Sequence, residues 1–213
     1  MPDFSFEDSC GKLVAGIDEA GRGPWAGPVV AGAVVFLDKN IDMRLIEGLD
    51  DSKKLTAKKR EILYDLMFDE EQKGRLCIGI GEASCREIDE LNILQATFLA
   101  MRRAYDALTV KPKLALIDGN RNPKNFPCQT QTIIKGDAKS FSIAAASITA
   151  KVYRDRLMTD LAQKYPYYKF EKNAGYGTAA HIAGLKKYGV CQEHRCSYKP
   201  IKEFLAEVGF VKD

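Results

Sequence analysis

The spacing of apolar residues along the chain predicts strands in the first part and mostly helices in the second. Two apolar runs, Lys12–Glu19 and Pro28–Leu37, predict strands that flank a glycine-rich bend. Shorter runs at Arg75–Gly81, Leu114–Ile117 and Gln131–Ile134 predict three further strands. Strands that alternate with helical segments are typical of an α/β domain, and a mixed sheet is expected here.

Helical spacing and capping residues identify the remaining segments. Thr56 is placed to cap one helix, and Ser84 with Glu87 forms the capping box of another. The predicted helices are Thr56–Gln72, the segment from 84 to 108, Ser140–Tyr165, Ala179–Tyr188 and a short helix after Pro200. We expect a core over residues 1–165 and a small C-terminal helical extension over residues 166–213, packed together as one structural unit.

Composition places the chain among ordinary globular proteins. Of its 213 residues, 46% are hydrophobic and 29% are charged, which excludes a disordered or fibrous chain. No run of about 18 apolar residues predicts a membrane span, and the polar first residues do not resemble a signal peptide. The six cysteines form no CxxC pair, so free thiols and a cytoplasmic location are expected.

Charge is distributed unevenly along the chain. Residues 139–213 carry 13 basic and 7 acidic side chains, whereas residues 1–138 carry 19 basic and 22 acidic ones. A basic C-terminal third beside an acidic remainder suits a polyanion held over a site made of carboxylates. An ordinary solvated surface would explain the same distribution, so charge alone does not identify the partner.

Acidic residues end three of the predicted strands. Asp18 and Glu19 close the first strand, while Asp118 follows the fourth and Asp137 follows the fifth. Each acid taken alone is explained by a solvated turn, but strand ends gather at one edge of an α/β sheet. Carboxylates without a nearby His or Cys favour hard cations such as Mg²⁺ or Mn²⁺. Such a cluster supports two-metal phosphoryl transfer.

Glycine and lysine motifs near these acids are candidate phosphate contacts. Gly21, Arg22 and Gly23 begin a G-x-G-x-x-A pattern, but strand residues follow where a dinucleotide-binding fold needs a helix. The backbone of this turn could still approach an anion closely. Lys53 and Lys54 precede a predicted helix and could contact phosphates, although a solvated helix start explains them equally well.

An aromatic residue in the basic C-terminal third is a candidate stacking group. Tyr176 stands between two glycines, where its neighbours cover it poorly, and it could stack on a base or a sugar. A surface tyrosine packed in a turn explains it equally well. The residues together favour a metal-dependent nuclease carried by a single α/β domain.

Two cysteines and a histidine near the end of the chain suggest a second kind of site. Cys191, His194 and Cys196 lie close together in the sequence and could be read as zinc ligands. Their spacing matches no common zinc pattern, and a fourth ligand is missing. We therefore do not expect a zinc site.

The candidate residues fall in motifs that, in order and spacing, resemble those of ribonuclease HII. The motifs are Gly16-Ile-Asp-Glu-Ala-Gly-Arg-Gly-Pro, Asp51-Ser-Lys-Lys-Leu, Leu116-Ile-Asp-Gly-Asn, Lys135-Gly-Asp137, Ala144-Ala-Ala-Ser-Ile-Thr-Ala-Lys-Val-Tyr-Arg-Asp155 and Gly175-Tyr-Gly-Thr. The resemblance covers residues from about 12 to 200. It implies a ribonuclease H-like mixed sheet flanked by helices, with a small C-terminal helical extension.

The resemblance also implies an activity. It implies endonucleolytic cleavage of the RNA strand of RNA–DNA hybrids, and cleavage 5′ of single ribonucleotides embedded in duplex DNA. The products would carry a 3′-hydroxyl and a 5′-phosphate, and two ions of Mg²⁺ or Mn²⁺ would take part. The family carboxylates that bind these ions fall on Asp18, Glu19, Asp118 and Asp137.

The same resemblance implies which residues recognise the substrate. Gly21, Arg22 and Gly23 correspond to the motif that senses a ribonucleotide at its junction with DNA, and Tyr176 corresponds to the partner tyrosine. The related type III enzymes replace that arginine, so its presence favours type II. Trp25 stands where the family usually has a smaller aliphatic residue, which leaves the shape of the turn open.

Two other function classes stay open on the sequence. Another two-metal nuclease of similar fold, such as a resolvase- or transposase-like enzyme, would cut substrates that contain no ribonucleotide. A non-catalytic duplex-binding module would leave the clustered acids unexplained. A replication clamp is a candidate protein partner, no membrane partner is expected, and the default expectation is a monomer.

Overall fold

One mixed sheet organises the described part of the chain, which is residues 1–50, 52 and 54–208 of a computed structural model. Its strands are β1 (Ala15–Ala20), β2 (Val29–Phe36), β3 (Leu76–Ala83), β4 (Leu114–Asp118) and β5 (Gln129–Ile133), in the spatial order β3-β2-β1-β4-β5. β2 runs antiparallel to both β1 and β3. β4 runs parallel to both β1 and β5. The α/β fold class with a mixed sheet is therefore confirmed.

Helices follow the strands and cover both faces of the sheet. They are α1 (Ser5–Ser9), α2 (Met43–Gly48), α3 (Ala57–Gln72), α4 (Cys85–Leu91), α5 (Ile93–Ala107), α6 (Phe141–Lys164), α7 (Phe170–Asn173), α8 (Ala179–Tyr188) and α9 (Lys199–Val208). Thr56 caps α3, and Ser84 and Glu87 form the predicted capping box of α4. The backbone N–H groups at these helix starts are thereby satisfied by local side chains.

The predicted single helical segment from 84 to 108 is in fact two helices. Asn92 separates α4 from α5 with a φ of +69°, and its side chain accepts hydrogen bonds from the N–H groups of Leu94 and Gln95. Asparagine tolerates this left-handed backbone and caps the new helix. The apolar spacing continues through the break, so spacing alone could not show it. The short helices α1, α2 and α7 were not predicted, although Asp42 caps α2.

Alternate residues of β2 face the two helical layers. Val29, Ala31, Ala33 and Val35 belong to a buried cluster with α5, whereas Val34 belongs to another with α6 and α3. Side chains of a strand point alternately to its two faces, and here both faces are covered. The sheet therefore lies in the middle of three layers, which matches its almost unbroken apolar sequence.

Helix α6 lies very close to the middle of the sheet. A Cβ atom on Gly16 of β1 would lie 2.1 Å from the backbone of Ser142, and one on Gly32 of β2 would lie 2.5 Å from the carbonyl oxygen of Ala146. These glycines and the alanines of α6 allow the close approach. The helix is thus held directly behind the strand that carries Asp18.

The C-terminal helices pack against the second half of α6. Met158 and Ala162 of α6 form a buried cluster with Phe170, Leu185 and Ile201 of the last three helices. This packing agrees with the expected C-terminal extension, while the boundary at residue 165 stays a prediction. Among the described residues, no helix combines the length and the apolar character that crossing a membrane needs.

Candidate active site

The register of the sheet brings the acids of two strands together. Ile17 of β1 pairs with Ile117 of β4 in parallel register, so the next residues, Asp18 and Asp118, are also neighbours. Asp18 is only 5% exposed, and its Oδ1 accepts a hydrogen bond of 2.7 Å from the N–H of Glu19. Three of the four predicted carboxylates therefore meet at one edge of the sheet.

Burial and neighbouring charge both act on the carboxyl group of Asp18. Burial raises the pKa of Asp18 well above its ordinary value, and the negative charges of Glu19 and Asp118 raise it further. A hydrogen bond with Ser147 of α6 acts in the opposite direction. Like charges in a buried place repel each other unless a proton or a cation lies between them. The oxygen donors and their mutual repulsion thus fit a divalent cation such as Mg²⁺ or Mn²⁺.

Asp118 is tied to the turn that carries the fourth acid. Its Oδ1 accepts a hydrogen bond of 2.6 Å from the N–H of Gly136. Residues Gly136–Ala138 form one turn of 3₁₀ helix after β5, and the side chain of Asp137 is buried within it. Asp137 therefore lies in a turn beyond the strand end, one residue from a direct partner of Asp118.

The carboxylates are held by protein donors rather than arranged around an empty centre. Glu19 Oε1 accepts a hydrogen bond of 3.2 Å from Arg22 Nη1, while Asp18 and Asp118 accept backbone N–H groups. Within residues 1–50, 52 and 54–208, no three His, Cys, Asp or Glu side chains are arranged to hold one metal ion. Ion binding would therefore require these side chains to move closer to one point.

A cavity of about 340 Å³ opens beside Asp18 and Glu19. Its other lining residues are Ala20, Gly21, Arg22, Gly23, Ser52, Ser147, Lys151, Arg154 and Tyr176. The structure thus brings Asp18, Glu19, the glycine–arginine turn and the predicted tyrosine around one opening, whereas Asp118 and Asp137 lie outside its lining. The cavity has negative charge on the side of the sheet and positive charge on the side of α6.

The turn that follows β1 depends on glycine. Gly21 has a φ of +93°, and a Cβ atom there would lie 2.0 Å from Arg154 Nε, so both the backbone conformation and the space exclude a side chain. A Cβ atom on Gly23 would lie 3.3 Å from the ring of Tyr176. That ring is half exposed. The turn and the tyrosine therefore form adjoining walls of the cavity.

Trp25 joins the two loops that build these walls. Its main-chain N–H donates a hydrogen bond of 2.8 Å to the carbonyl oxygen of Gly175. Its ring covers Gly177, where a Cβ atom would lie only 2.1 Å away. Trp25 therefore contacts both glycines that flank Tyr176, and this packing between the two loops accommodates its large side chain.

The two predicted lysines are placed differently from the rest of the site. Lys53 lies outside the described residues. Lys54 is exposed, pairs with Asp50 at 3.2 Å, and lies outside the cavity lining. A phosphate contact by either lysine stays a prediction.

Residues of α6 are the part of the cavity that reasoning from single residues missed. Ser147, Lys151 and Arg154 are spaced by four and three positions, so they share one face of the helix. Lys151 Nζ binds Asp155 at 2.6 Å. A polar row on a helix that is otherwise rich in alanine was the available signal, because such a row needs a polar environment opposite it.

The histidine and cysteine cluster does not have the geometry of a zinc site. The two ring nitrogens of His194 face different partners, with Nδ1 3.2 Å from Cys191 Sγ and Nε2 3.0 Å from His181 Nε2. Possible ligands therefore lie on opposite sides of the ring rather than around one point. Burial and the neighbouring His181 lower the pKa of His194 to about 4, so this pair is neutral near pH 7.

Comparison with known proteins agrees with the motifs. The family model for Ribonuclease HII matches residues 15–201. A protein named Ribonuclease HII from Paramagnetospirillum magneticum is 51% identical over 205 residues, which covers 96% of this chain and 99% of the relative. The similarity therefore extends over nearly the whole length of both proteins.

Solved structures show the same architecture. Ribonuclease H2 from Pyrococcus horikoshii matches with a TM-score of 0.74 at 31% identity, covering 92% of this chain and 98% of that one. Ribonuclease HII in the PCNA complex from Archaeoglobus fulgidus matches with a TM-score of 0.67 at 27% identity, covering 88% and 95%.

A more distant structure shares the fold alone. Bst ribonuclease HIII in complex with Mn²⁺ matches with a TM-score of 0.70 at 16% identity, covering 92% of this chain and 70% of that one. The sheet order, the acids at its edge and the family match over residues 15–201 lead to one conclusion. The chain belongs to the ribonuclease HII family and is a metal-dependent endoribonuclease that acts on RNA–DNA hybrids.

Proposed function

We propose that the enzyme binds two divalent ions, Mg²⁺ or Mn²⁺, at its four acidic residues and cuts 5′ of ribonucleotides, including single ones embedded in duplex DNA. The ligands in this proposal are Asp18, Glu19, Asp118 and Asp137. The observation that carries it is the parallel register that places Asp18 beside Asp118, where burial and the neighbouring like charges raise the pKa of Asp18.

The protein groups prepare this edge of the sheet for the reaction. When bound, the divalent ions supply an activated water and charge stabilisation for the leaving 3′ oxygen. Asp18 accepts a hydrogen bond from the N–H of Glu19, which fixes one of its oxygens beside the neighbouring acids. Lys151 and Arg22 place positive charge at the rim, where it would attract the phosphate backbone. The products would be a 3′-hydroxyl and a 5′-phosphate.

In this proposal the glycine–arginine turn and Tyr176 recognise the ribonucleotide. A ribonucleotide differs from a deoxyribonucleotide by its 2′-hydroxyl, and the backbone of Gly21, Arg22 and Gly23 lines the cavity next to the acids. Glycine at both ends of the turn permits the close approach that backbone reading needs. In this proposal the ring of Tyr176, which is half exposed, stacks on the next sugar.

Cleavage of a defined duplex tests the proposal. The purified enzyme is incubated with a DNA duplex that contains one ribonucleotide, in Mg²⁺, in Mn²⁺ and in chelator, and the cut is mapped on a sequencing gel. We expect a metal-dependent nick immediately 5′ of the ribonucleotide. An all-DNA duplex is the matched control, because cutting there would instead support a resolvase- or transposase-like nuclease.

Absence of cleavage would have a different meaning. If folded protein makes no nick with either metal, and a metal titration gives no heat, the duplex-binding module becomes the better interpretation. If it cuts long hybrids but not the single ribonucleotide, the hybrid activity stands and the junction reading is wrong.

Substitution of the tyrosine tests the reading of the junction. Tyr176→Ala should lower the ratio of cleavage at a single ribonucleotide to cleavage of an all-RNA strand, by about fivefold to 150-fold, because one stacking contact is worth roughly 1–3 kcal/mol. Tyr188→Ala is the control, since Tyr188 is also half exposed but lies outside the cavity lining. An unchanged ratio in Tyr176→Ala would count against the stacking role.

A replication clamp is the protein partner to be tested. The Archaeoglobus fulgidus neighbour is in a complex with PCNA. Size-exclusion chromatography of this protein with and without the clamp of its own replication machinery measures the interaction, and the protein alone reports whether it is a monomer.

A further inference from the structure

An arginine with no acidic partner lies behind the turn. Arg195 is fully buried, and in the described part of the chain it forms no ion pair with a carboxylate. Its guanidinium donates to the carbonyl oxygens of Gly21 at 2.5 Å, Arg22 at 2.9 Å and Gly27 at 2.8 and 3.0 Å. A buried cation satisfied by neutral oxygens rather than by a carboxylate is costly to build, so it calls for a specific role.

A tyrosine completes this contact. The hydroxyl of Tyr198 donates a hydrogen bond of 2.5 Å to the carbonyl oxygen of Arg22 and accepts one of 2.9 Å from Arg195 Nη1. The carbonyl oxygen of Arg22 is therefore held by two donors, and that of Gly21 by one. We call these two side chains, Arg195 and Tyr198, the carbonyl clamp.

The clamp is itself held in place from the opposite direction. Asp89 of α4 accepts hydrogen bonds of 2.8 Å from the N–H groups of Cys196 and Ser197, and one of 2.6 Å from the hydroxyl of Ser197. The segment between Arg195 and Tyr198 is thus fixed to α4 while its ends hold the turn. The clamp has a rigid support that does not belong to the cavity.

Holding a carbonyl group also orients the next N–H group. A trans peptide is planar, with its C=O and N–H pointing in opposite directions. With the carbonyls of Gly21 and Arg22 directed to the clamp, the N–H groups of Arg22 and Gly23 are directed away from it. These residues line the cavity. A cation at the carbonyl end also polarises each peptide and strengthens its N–H as a donor.

We infer that Arg195 and Tyr198 are positioning residues that aim the N–H groups of Arg22 and Gly23 at an oxygen of the substrate. This inference rests on the proposed reading of the ribonucleotide by the turn. The oxygen is a hydroxyl or phosphate oxygen of the nucleic acid, because N–H groups pointing into a cavity bind acceptors. The clamp acts through the turn and does not touch the substrate.

Two variants test the clamp at different strengths. Tyr198→Phe removes one hydroxyl and keeps the ring, while Arg195→Lys keeps the charge but cannot reach three carbonyl groups. Tyr105→Phe is the matched control, because the hydroxyl of Tyr105 also donates to a main-chain carbonyl, that of Pro112 at 2.6 Å, outside the cavity. For each protein, kcat and KM are measured on a duplex with one ribonucleotide and on an all-RNA hybrid, below the melting temperature.

The expected result is a change in preference rather than a general loss. Tyr198→Phe should lower the ratio of kcat/KM for the single ribonucleotide to kcat/KM for the hybrid by about threefold to tenfold, as expected for one hydrogen bond. Arg195→Lys should lower it further, and Tyr105→Phe should leave it unchanged. Equal loss on both substrates in both variants would indicate a merely structural role and would overturn the inference.

Hydrogen–deuterium exchange keeps the test independent of catalysis. In Tyr198→Phe, exchange in a peptide that covers residues 20–28 should be faster than in the wild type and in Tyr105→Phe. Wild-type exchange rates in that peptide would overturn the positioning role, whatever the activity. If the wild type itself cuts neither duplex, the proposed function fails, and the exchange data still decide whether the clamp holds the turn.

Discussion

The acids at the edge of the sheet and two arginines near the turn, Arg154 and Arg195, are buried charged groups with opposite kinds of neighbours. Asp18 lies among other negative charges, and its burial together with those charges raises its pKa. Arg154 and Arg195 lie among carbonyl oxygens. Arg154 donates to those of Pro28, Ala26 and Ala174 at 2.9 to 3.1 Å. The arginines are surrounded by acceptors, whereas the acids lie close to one another, where a cation would relieve their repulsion.

This difference assigns different work to the two regions. A buried charge with all of its hydrogen-bond partners stabilises one arrangement of the chain, so the arginines fix the shape of the turn. Carboxylates that repel one another reduce stability until a cation binds. We expect changes among the acids to affect chemistry more than folding, and changes at the arginines to affect folding first.

The strongest test of the comparison removes one negative charge. Asp18→Asn should lower kcat by about 10³-fold or more, because a group that acts together with others in the reaction is lost. Its melting temperature should equal or exceed that of the wild type, because repulsion from Glu19 and Asp118 is relieved. Steady-state kinetics and thermal unfolding measure both effects.

The control for this substitution is Asp106→Asn, which changes an exposed acid near Arg102. It should leave both activity and melting temperature almost unchanged. Normal cleavage by Asp18→Asn would contradict the metal-binding role of this residue.

The opposite test removes a satisfied positive charge. Arg154→Met should lower the free energy of unfolding by about 3–5 kcal/mol, because three buried carbonyl groups lose their donor. Arg156→Met on the same helix is the matched control. Its exposed pairing with Glu61 and Asp65 should be worth less than about 1 kcal/mol. Urea unfolding of the three proteins measures the difference, and equal losses at both positions would contradict the assigned role of Arg154.

Lowering the pH extends the comparison to His194, a buried side chain that is neutral at pH 7. The pKa of His194 is about 4, against an ordinary value of 6.5. Between these two pH values the unfolded chain binds a proton at this residue that the folded chain excludes. The free energy of unfolding is therefore highest above pH 6.5 and falls as the pH drops towards 4. The loss should be on the order of 2–3 kcal/mol.

Urea unfolding at several pH values between 7 and 4 measures this loss in the wild type and in His194→Gln. The difference in free energy between the two proteins should shrink as the pH falls. A constant difference over this range would show that His194 is not the group that titrates.

The smallest expected effect is the response of the acids to metal alone. Mg²⁺ at ten times its dissociation constant should stabilise the wild type by about 1.4 kcal/mol at neutral pH, which is roughly 3–5 °C in melting temperature. The raised pKa of Asp18 means that the effect should weaken as the pH falls and the carboxyl group takes up a proton. Asp18→Asn should lose most of the response. A rise of the same size in that variant would place the ion elsewhere.

The sequence was informative wherever structure depends on neighbouring residues. An apolar run that ends in an acid predicted the end of β4 at Asp118, whereas β1 continues past Asp18 and Glu19 to Ala20 because these residues still pair with β2. The parallel register of β1 and β4 places Asp18 and Asp118 side by side. Ser140 was predicted to begin the long helix, and it caps α6. These features depend on spacing and local hydrogen bonds, which a sequence displays directly.

The remaining features depend on contacts between distant parts of the chain. Arg195 reaches carbonyl groups more than 160 positions earlier in the sequence, and nothing around it in the sequence distinguishes it from a surface arginine. Asp137 was expected at a strand end, but the turn after β5 carries it beyond that point. Packing between distant parts of the chain determines both the contacts of Arg195 and the position of Asp137, and the spacing of apolar residues does not show such packing.

The order of synthesis has a consequence for the turn at Gly21. A ribosome adds residues 21–23 within the first tenth or so of the protein, but Arg154 and Arg195, which hold the surrounding carbonyl groups, arrive much later. A nascent chain that has folded its sheet already contains the acids of β1 and β4, yet it lacks the groups that shape the adjoining turn. The conformation of this turn is therefore fixed only after the C-terminal part of the chain has been added.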